Sequence, residues 1–308
     1  LFQEIAKSQL VIASPLALSL FEEKDFMSSI EVLVLDSIDV LAMQHADRLA
    51  QVIVGLNELP KTVTQTKDWS RVRQYCCDKN NRKMRQSIGY GRILSPEILN
   101  MYMKMFENIR GQLIVRPLKY EQILKQIDGA ERTFKKMVIS KSLSEQSINS
   151  KVELIGDVVF KTFSEKLFPL IKQWRSESED VAKRTIIYFV SSYRFLQARK
   201  MLDDDFVNFL ELSDESTDND IKNMKRSFKS DQNAVLLLTE RHYFHFRPKL
   251  NAGRVVFLQP PSYPLFAQEL AGNCASTIYF TEFDEIALER VVGSEYCHTI
   301  LSSDLYSY

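Results

Sequence analysis

The sequence predicts an α/β chain with two domains, each a parallel sheet flanked by helices, the first incomplete at its N-terminus. Three observations predict it. Short β-branched or apolar runs alternate with longer amphipathic stretches, the pattern of strand–helix units whose right-handed crossovers build parallel sheets. The chain has 308 residues, which fits about two domains at ~150 residues each. A polar middle without strand-like runs separates the two alternating halves.

In chain order, strands are expected over residues 10–13 and 32–35, near Ile88, and over 113–115 in the first half. In the second half they are expected over residues 185–190, 235–238, 255–258 and 277–280. Helical periodicity falls on residues 97–108, 158–174, 193–202 and 218–229. This places a first domain at residues 1–117, a linker with some helix at 118–152, and a second domain at 153–308. The chain opens on Leu1 rather than Met, and we read it as part of a longer protein.

Hydrophobic residues make up 45% and charged residues 26%, an ordinary globular profile. Forty Lys and Arg balance 40 Asp and Glu. Such neutrality gives no general pull toward nucleic acid or membrane, so any RNA must meet a local patch. Cys76, Cys77, Cys274 and Cys297 form no C-x-x-C pair, and adjacent cysteines rarely bridge. A reducing compartment is the natural reading. No apolar run approaches the ~20 residues of a membrane helix. Acidic clusters at residues 177–180, 203–205 and 214–220 read as loops and helix caps.

Several short stretches follow one another in the order of helicase motifs. Residues 12–18, IASPLAL, put Ser14 and Pro15 where a strand meets a helix, a turn whose free N–H groups can hold a phosphate. Taken alone that turn is a common one. Residues 30–43, IEVLVLDSIDVLAM, resemble a Walker B strand, with Asp36, Ser37 and Asp39 forming a degenerate nucleotide site. Asp36 stands where a magnesium-holding carboxylate would, and Ser37 replaces the Glu that activates water. A serine hydroxyl is not ionised near pH 7 and cannot be that base. The plainer reading has Asp36 capping the next helix. Residues 86–93, QSIGYGRI, with Gly89 and Gly91, are a loose S-A-T-like segment, and the basic stretch from Lys79 to Arg85 precedes it.

In the second half, residues 185–194 (TIIYFVSSYR) deliver Ser191, Ser192, Tyr193 and Arg194 to the carboxyl edge of a sheet, where open α/β sheets bind ligands. Hydroxyls and Arg suit RNA phosphates, and Tyr suits base stacking. Residues 235–253 carry Thr239 and Arg241, then His242, His245, Arg247 and Lys249 interleaved with Tyr243, Phe244 and Phe246. Two readings fit: a single-strand surface, or aromatics in the core with charges outside. His242 and His245 have no further ligands nearby at metal spacing, so no metal is expected. Where an active helicase carries arginines worth ~10³-fold or more in rate, residues 259–274 contain neither Arg nor Lys.

These stretches together resemble the digestive organ expansion factor family, also called U3 small nucleolar RNA-associated protein 25. The resemblance rests on residues 34–49 (VLDSIDVLAMQHADRL), 56–61 (LNELPK) and 69–73 (WSRVR). It continues through residues 188–202 (YFVSSYRFLQARKML), 238–257 (LTERHYFHFRPKLNAGRVVF) and 283–294 (FDEIALERVVGS). It covers nearly the whole chain, most thinly over residues 118–156. This sequence departs from the family at residues 89–91 and at residues 260–263, where the usual form is Leu-Pro-Glu-His.

The resemblance implies two RecA-like domains and a DEAD-box-like pseudo-helicase without ATPase residues. It implies a nucleolar component of the small-subunit processome, acting in ribosomal RNA processing and small-subunit biogenesis. Expected partners are the ribosomal RNA precursor or U3 small nucleolar RNA and other processome proteins, with no cofactor and no membrane. The residues expected to meet RNA are Ser14, Ser191, Ser192, Tyr193, Arg194, Thr239, Arg241 and Arg247. Two alternatives stay open: an active ATP-dependent RNA helicase, and a purely protein-binding module of the same particle.

Overall fold

The structure is a computed structural model and describes residues 8–21, 25–59, 74–77, 80–125, 130–139, 148–176, 184–231 and 234–307. Residues 69–73, Lys79 and the cluster at 177–180 lie outside the described residues, as do the side chains of Cys76 and Cys77. The chain divides into two compact units, Leu1–Arg116 and Pro117–Tyr308.

Unit 1 runs α1 (Pro15–Leu20), β1 (Val32–Leu35), α2 (Ile38–Gly55), α3 (Asn81–Met84), β2 (Gln86–Gly89) and α4 (Pro96–Met105). β1 and β2 pair in parallel, from Val32 opposite Gln86 to Leu35 opposite Gly89. Leu35, Ile38, Leu49, Ile53, Ile98, Met101 and Phe106 form the core between this pair and α2 and α4. α2 breaks at His45 (φ −164°, ψ 86°). There His45 Nδ1 accepts from the Arg48 N–H at 3.3 Å, restarting the helix as a cap would.

Unit 1 also buries a guanidinium. Arg85 donates from Nη1 to Asn57 Oδ1 at 3.0 Å, from Nε to Ser87 Oγ at 3.0 Å, and from Nη2 to the Met105 carbonyl at 3.3 Å. Burial, with Arg82 nearby, lowers its pKa to about 10. The basic stretch before β2 thus contributes a core strut at Arg85, and Arg82 bonds the Val54 carbonyl.

Unit 2 opens with β3 (Arg132–Lys136), α5 (Ile148–Thr162), a π-helical turn (Phe163–Leu167), α6 (Phe168–Ser176), β4 (Thr185–Phe189) and α7 (Ser192–Asp204). It continues through β5 (Leu210–Leu212), α8 (Asp218–Ser230), β6 (Val235–Thr239), α9 (Glu240–Phe246), β7 (Arg254–Phe257) and α10 (Pro264–Ala271). It ends with β8 (Ala275–Phe280), α11 (Glu285–Val292), α12 (Ser294–Ser302) and β9 (Leu305–Ser307). The strand order is β5-β6-β4-β7-β8-β3-β9. Every pair is parallel except β3 with β9.

All five residues of β4 and of β6 are buried, as expected for central parallel strands covered on both faces. Ile187, Phe189, Val235, Leu237, Val256 and Tyr279 pack on one face against Val159, Phe163, Ile171, Phe195, Ala198 and Leu202. From β4 to β5 the connection runs one way along the sheet, and from β5 to β6 it returns. Right-handed crossovers therefore put α7 and α8 on opposite faces. This is the helix-flanked parallel sheet expected of a RecA-like domain.

Three expectations are corrected. Residues 10–13 and 113–115 form no strand; they are mostly exposed and pair with no ladder partner among the described residues. The segment expected as a linker contains β3, inserted between β8 and β9. Its basic sequence, RTFKK, hid it, because Arg132 is buried by hydrogen bonding rather than by apolarity. Arg132 donates to the carbonyls of Lys125 (2.9 Å), Ala271 (2.9 Å) and Gly272 (3.1 Å) and to Ser276 Oγ (3.2 Å). It thereby satisfies the carbonyl end of α10, which a helix cannot satisfy itself.

Candidate functional site

In unit 1 the Asp36–Ser37 turn joins β1 to α2. Ser37 takes a left-handed backbone (φ 53°), costly for a residue other than Gly or Asn. Its hydroxyl lies 3.5 Å from Asp36 Oδ1, and Asp36 is exposed. Asp39 differs: it is only 5% exposed, and its Oδ2 accepts from the Arg92 N–H at 3.3 Å. The Ile38 N–H donates to the Tyr90 carbonyl at 2.7 Å, and the Tyr90 N–H to the Leu35 carbonyl at 2.9 Å. Expected as part of a degenerate nucleotide site, Asp39 instead braces the loop after β2. Ser14 caps α1, accepting from the Ala17 N–H at 3.1 Å, and stays exposed.

In unit 2 the register pairs Phe189 with Thr239, so the residues following β4 and β6 share one carboxyl edge. Ser191 caps α7 by accepting from the Arg194 N–H at 3.5 Å. Ser192 is exposed, and Tyr193 is 64% exposed. Arg194 is committed elsewhere: it donates to Gln197 Oε1 at 2.7 Å and to Asp157 Oδ1 at 3.1 Å. Its guanidinium crosses α5 where Gly156 leaves room, and an added methyl there would collide with it. Thr239 is buried and caps α9 through a 3.3 Å bond from the His242 N–H, so it presents no hydroxyl to a ligand. Arg241 pairs with Asp214 at 3.8 Å. Arg247 pairs with Glu269 at 3.5 Å and covers the Phe266 ring.

Of the interleaved histidines, His242 is buried and His245 exposed. His242 Nδ1 lies 2.8 Å from the Ser213 carbonyl, and its ring stacks on Phe246 at 4.7 Å. No cluster of three or more metal-ligating side chains occurs among the described residues. Burial pushes the Cys297 thiol up to about 11, aided by Glu289 and Glu285, so it stays protonated and unreactive near neutrality.

Sequence reasoning missed the residue at the centre of this edge. Glu240 is buried where β6 ends, accepting from the Tyr188 hydroxyl at 3.1 Å and from the Ser262 N–H at 2.9 Å. Burial pushes its carboxyl above the ordinary range, and the bonds from Ser262 and Tyr188 pull the other way. Around it pack Tyr188 on Phe257 (5.2 Å), Tyr243 on Phe266 (5.1 Å) and Tyr263 on Phe266 (5.4 Å). The Tyr243 hydroxyl donates to Glu269 at 3.1 Å. This part of the carboxyl edge is therefore an aromatic plug around a carboxylate. The signal for it was present in the aromatic run at 243–246 together with Tyr263 and Phe266, the reading that kept aromatics in the core.

The family model described as "Utp25, C-terminal domain" matches residues 131–308, and "UTP25, NTP hydrolase-like domain" matches residues 1–113. The chain is 27% identical over 321 residues to Protein NUCLEOLAR FACTOR 1 of Arabidopsis thaliana, covering 99% of this chain and 40% of that protein. It is 27% identical over 325 residues to U3 small nucleolar RNA-associated protein 25 of Schizosaccharomyces pombe, covering 97% and 47%. The chain thus spans less than half the length of these curated relatives. A solved structure, the yeast DEAD-box splicing factor Prp28, matches 90% of this chain and 52% of its own at 13% identity, with a TM-score of 0.35.

Proposed function

Because the chain belongs to the Utp25 family, we propose that it is a non-catalytic, helicase-like scaffold of the small-subunit processome. In this reading it works in the nucleolus, where it holds ribosomal RNA precursor or U3 small nucleolar RNA together with other processome proteins. The relatives' names support this reading: one is named for association with U3 small nucleolar RNA, another as a nucleolar factor.

One observation carries the non-catalytic part. Nucleotide-splitting helicases need cationic groups at the transferred phosphoryl. Here the corresponding loop donates its Ser262 N–H to buried Glu240 and packs Tyr263 and Phe266 into aromatic contacts. No Arg or Lys occurs from residue 259 to 274. Steady-state ATP hydrolysis, with and without single-stranded RNA, tests this: no RNA-stimulated turnover is expected, and its presence would overturn the proposal.

A purely protein-binding role is the second reading, favoured by the pairing of Arg194, Arg241 and Arg247 with Asp157, Asp214 and Glu269. RNA crosslinking mapped to peptides separates the two. Adducts at Ser192, Tyr193, Arg241 or Arg247 support RNA holding at this edge, and a particle without adducts anywhere on the chain supports the protein-binding role.

A further inference from the structure

The arginines expected to meet phosphates are held by carboxylates, but another basic surface of unit 2 has no carboxylate partner among the described residues. α8 buries Ile221, Met224 and Phe228. Its exposed residues include Lys222, Lys225, Arg226 and Lys229. The spacing i, i+3, i+4, i+7 gathers these cations within an arc of about 100° on one helix face. No acidic residue occurs from 221 to 230. None of the four forms an ion pair with another described residue. The acids nearest the stripe on this segment are at its two ends: Asp220 closes the capping box with Thr217, Asp218 lies one turn before Lys222, and Asp231 is the C-cap two residues after Lys229.

The stripe also has a defined place. Arg184 donates to the Lys229 carbonyl at 3.3 Å, so the end of α8 abuts the amino end of β4. This is the edge opposite the one that carries Ser191 and Glu240, and α8 covers the face opposite α7. Arg184 adds a further guanidinium beside Lys229. From Lys222 to Lys229 the helix rises about 10 Å, a span that favours a repeating polyanion over a single small anion.

We infer that the exposed face of α8 binds the phosphate backbone of single-stranded RNA without reading sequence. Lysine-rich contact with phosphates gives binding that is electrostatic, sequence-tolerant and salt-sensitive. Such a local stripe also reconciles RNA contact with a neutral chain. The inference rests on the proposed scaffold role only for the choice of RNA as the polyanion.

The test is fluorescence anisotropy of the whole chain with a labelled oligouridine across a salt series. The variants are Lys222→Gln, Lys225→Gln, Arg226→Gln and Lys229→Gln combined, and Arg241→Gln with Arg247→Gln. The α8 variant is expected to bind about tenfold or more weakly, with a salt slope flatter by about 1–2, as two phosphate contacts at about 0.7 each would give. Since all four side chains are exposed, its melting temperature should match that of the parent. Should it not, Lys225→Gln and Lys229→Gln are each measured alone for a smaller flattening. An α8 variant that binds like the parent, while the Arg241/Arg247 variant loses binding, overturns this inference and leaves the scaffold proposal standing. Binding of polyglutamate but not oligouridine through α8 overturns it in favour of an acidic protein. Absence of any oligouridine binding overturns it as well.

Discussion

The Tyr188 hydroxyl donates to Glu240 Oε2 across 3.1 Å, tying neighbouring strands β4 and β6 together inside the carboxyl edge of unit 2. Burial raises the Glu240 pKa above 4.5. A raised folded value means its contribution to stability is present below the unfolded pKa and is lost as pH rises through the folded one. Glu240→Gln keeps an acceptor and removes the buried charge. It should match the parent in mild acid and exceed it in stability at neutral pH. Glu240→Ala should cost about 2–3 kcal/mol, because the Tyr188 hydroxyl and Ser262 N–H lose their acceptor. Urea unfolding at the two pH values decides; a Gln variant weaker than the parent at neutral pH refutes the assignment.

His242 gives a second pH dependence. With Nδ1–H donating to Ser213, its buried Nε2 has no hydrogen-bond partner among the described residues. Burial lowers its pKa below 6.5, against the opposing effect of the Ser213 bond and Asp214. On acidification the unfolded chain takes up the proton first, so stability present above about pH 6.5 is lost as pH falls. His242→Phe keeps the stack on Phe246 and should melt with a weaker dependence on acidification. An unchanged dependence in a pH series of thermal melts would show that another group is responsible.

Arg132 holds the carbonyl end of α10 to the sheet through a planar fork that lysine does not reproduce. Both Arg132→Lys and Arg132→Ala should destabilise unit 2, the latter by about 3 kcal/mol, because buried carbonyls lose their donors. A loss below about 1 kcal/mol in urea unfolding would mean that water replaces the guanidinium.

Asn57 tests the strut in unit 1. It holds a left-handed backbone (φ 62°), donates to the Ile30 carbonyl at 2.8 Å and accepts from Arg85 at 3.0 Å. Asn57→Gly keeps the backbone and loses the bonds, costing about 2 kcal/mol. Asn57→Ala adds backbone strain of about 1 kcal/mol or more. Alanine should therefore unfold before glycine; the reverse order would place the stability elsewhere.

The central strands were legible because both their faces are buried. Residues 185–190 and 235–238 are nearly continuous apolar runs, and they form β4 and β6. α8 was legible by its helical period. β3 was not, since its burial depends on Arg132 finding carbonyls about 140 residues away in the chain. β5 and β9, three residues each, fall below what periodicity can detect. At the candidate site, the sequence placed Ser191 and Arg194 just after β4, at the sheet's carboxyl edge, but could not tell a free arginine from one held by Asp157.

What the amino-acid order alone determined was local and periodic: the central strands and the periodic helices, the family, and the absence of cations over residues 259–274. The partner of each charge was decided only by tertiary structure. Arg194, Arg241 and Arg247 meet carboxylates and Glu240 turns inward, while the lysines of α8 form no ion pair among the described residues. The physical reason is that hydrogen bonding and desolvation depend on which groups the fold brings within about 3 Å, and distance along the chain does not encode that.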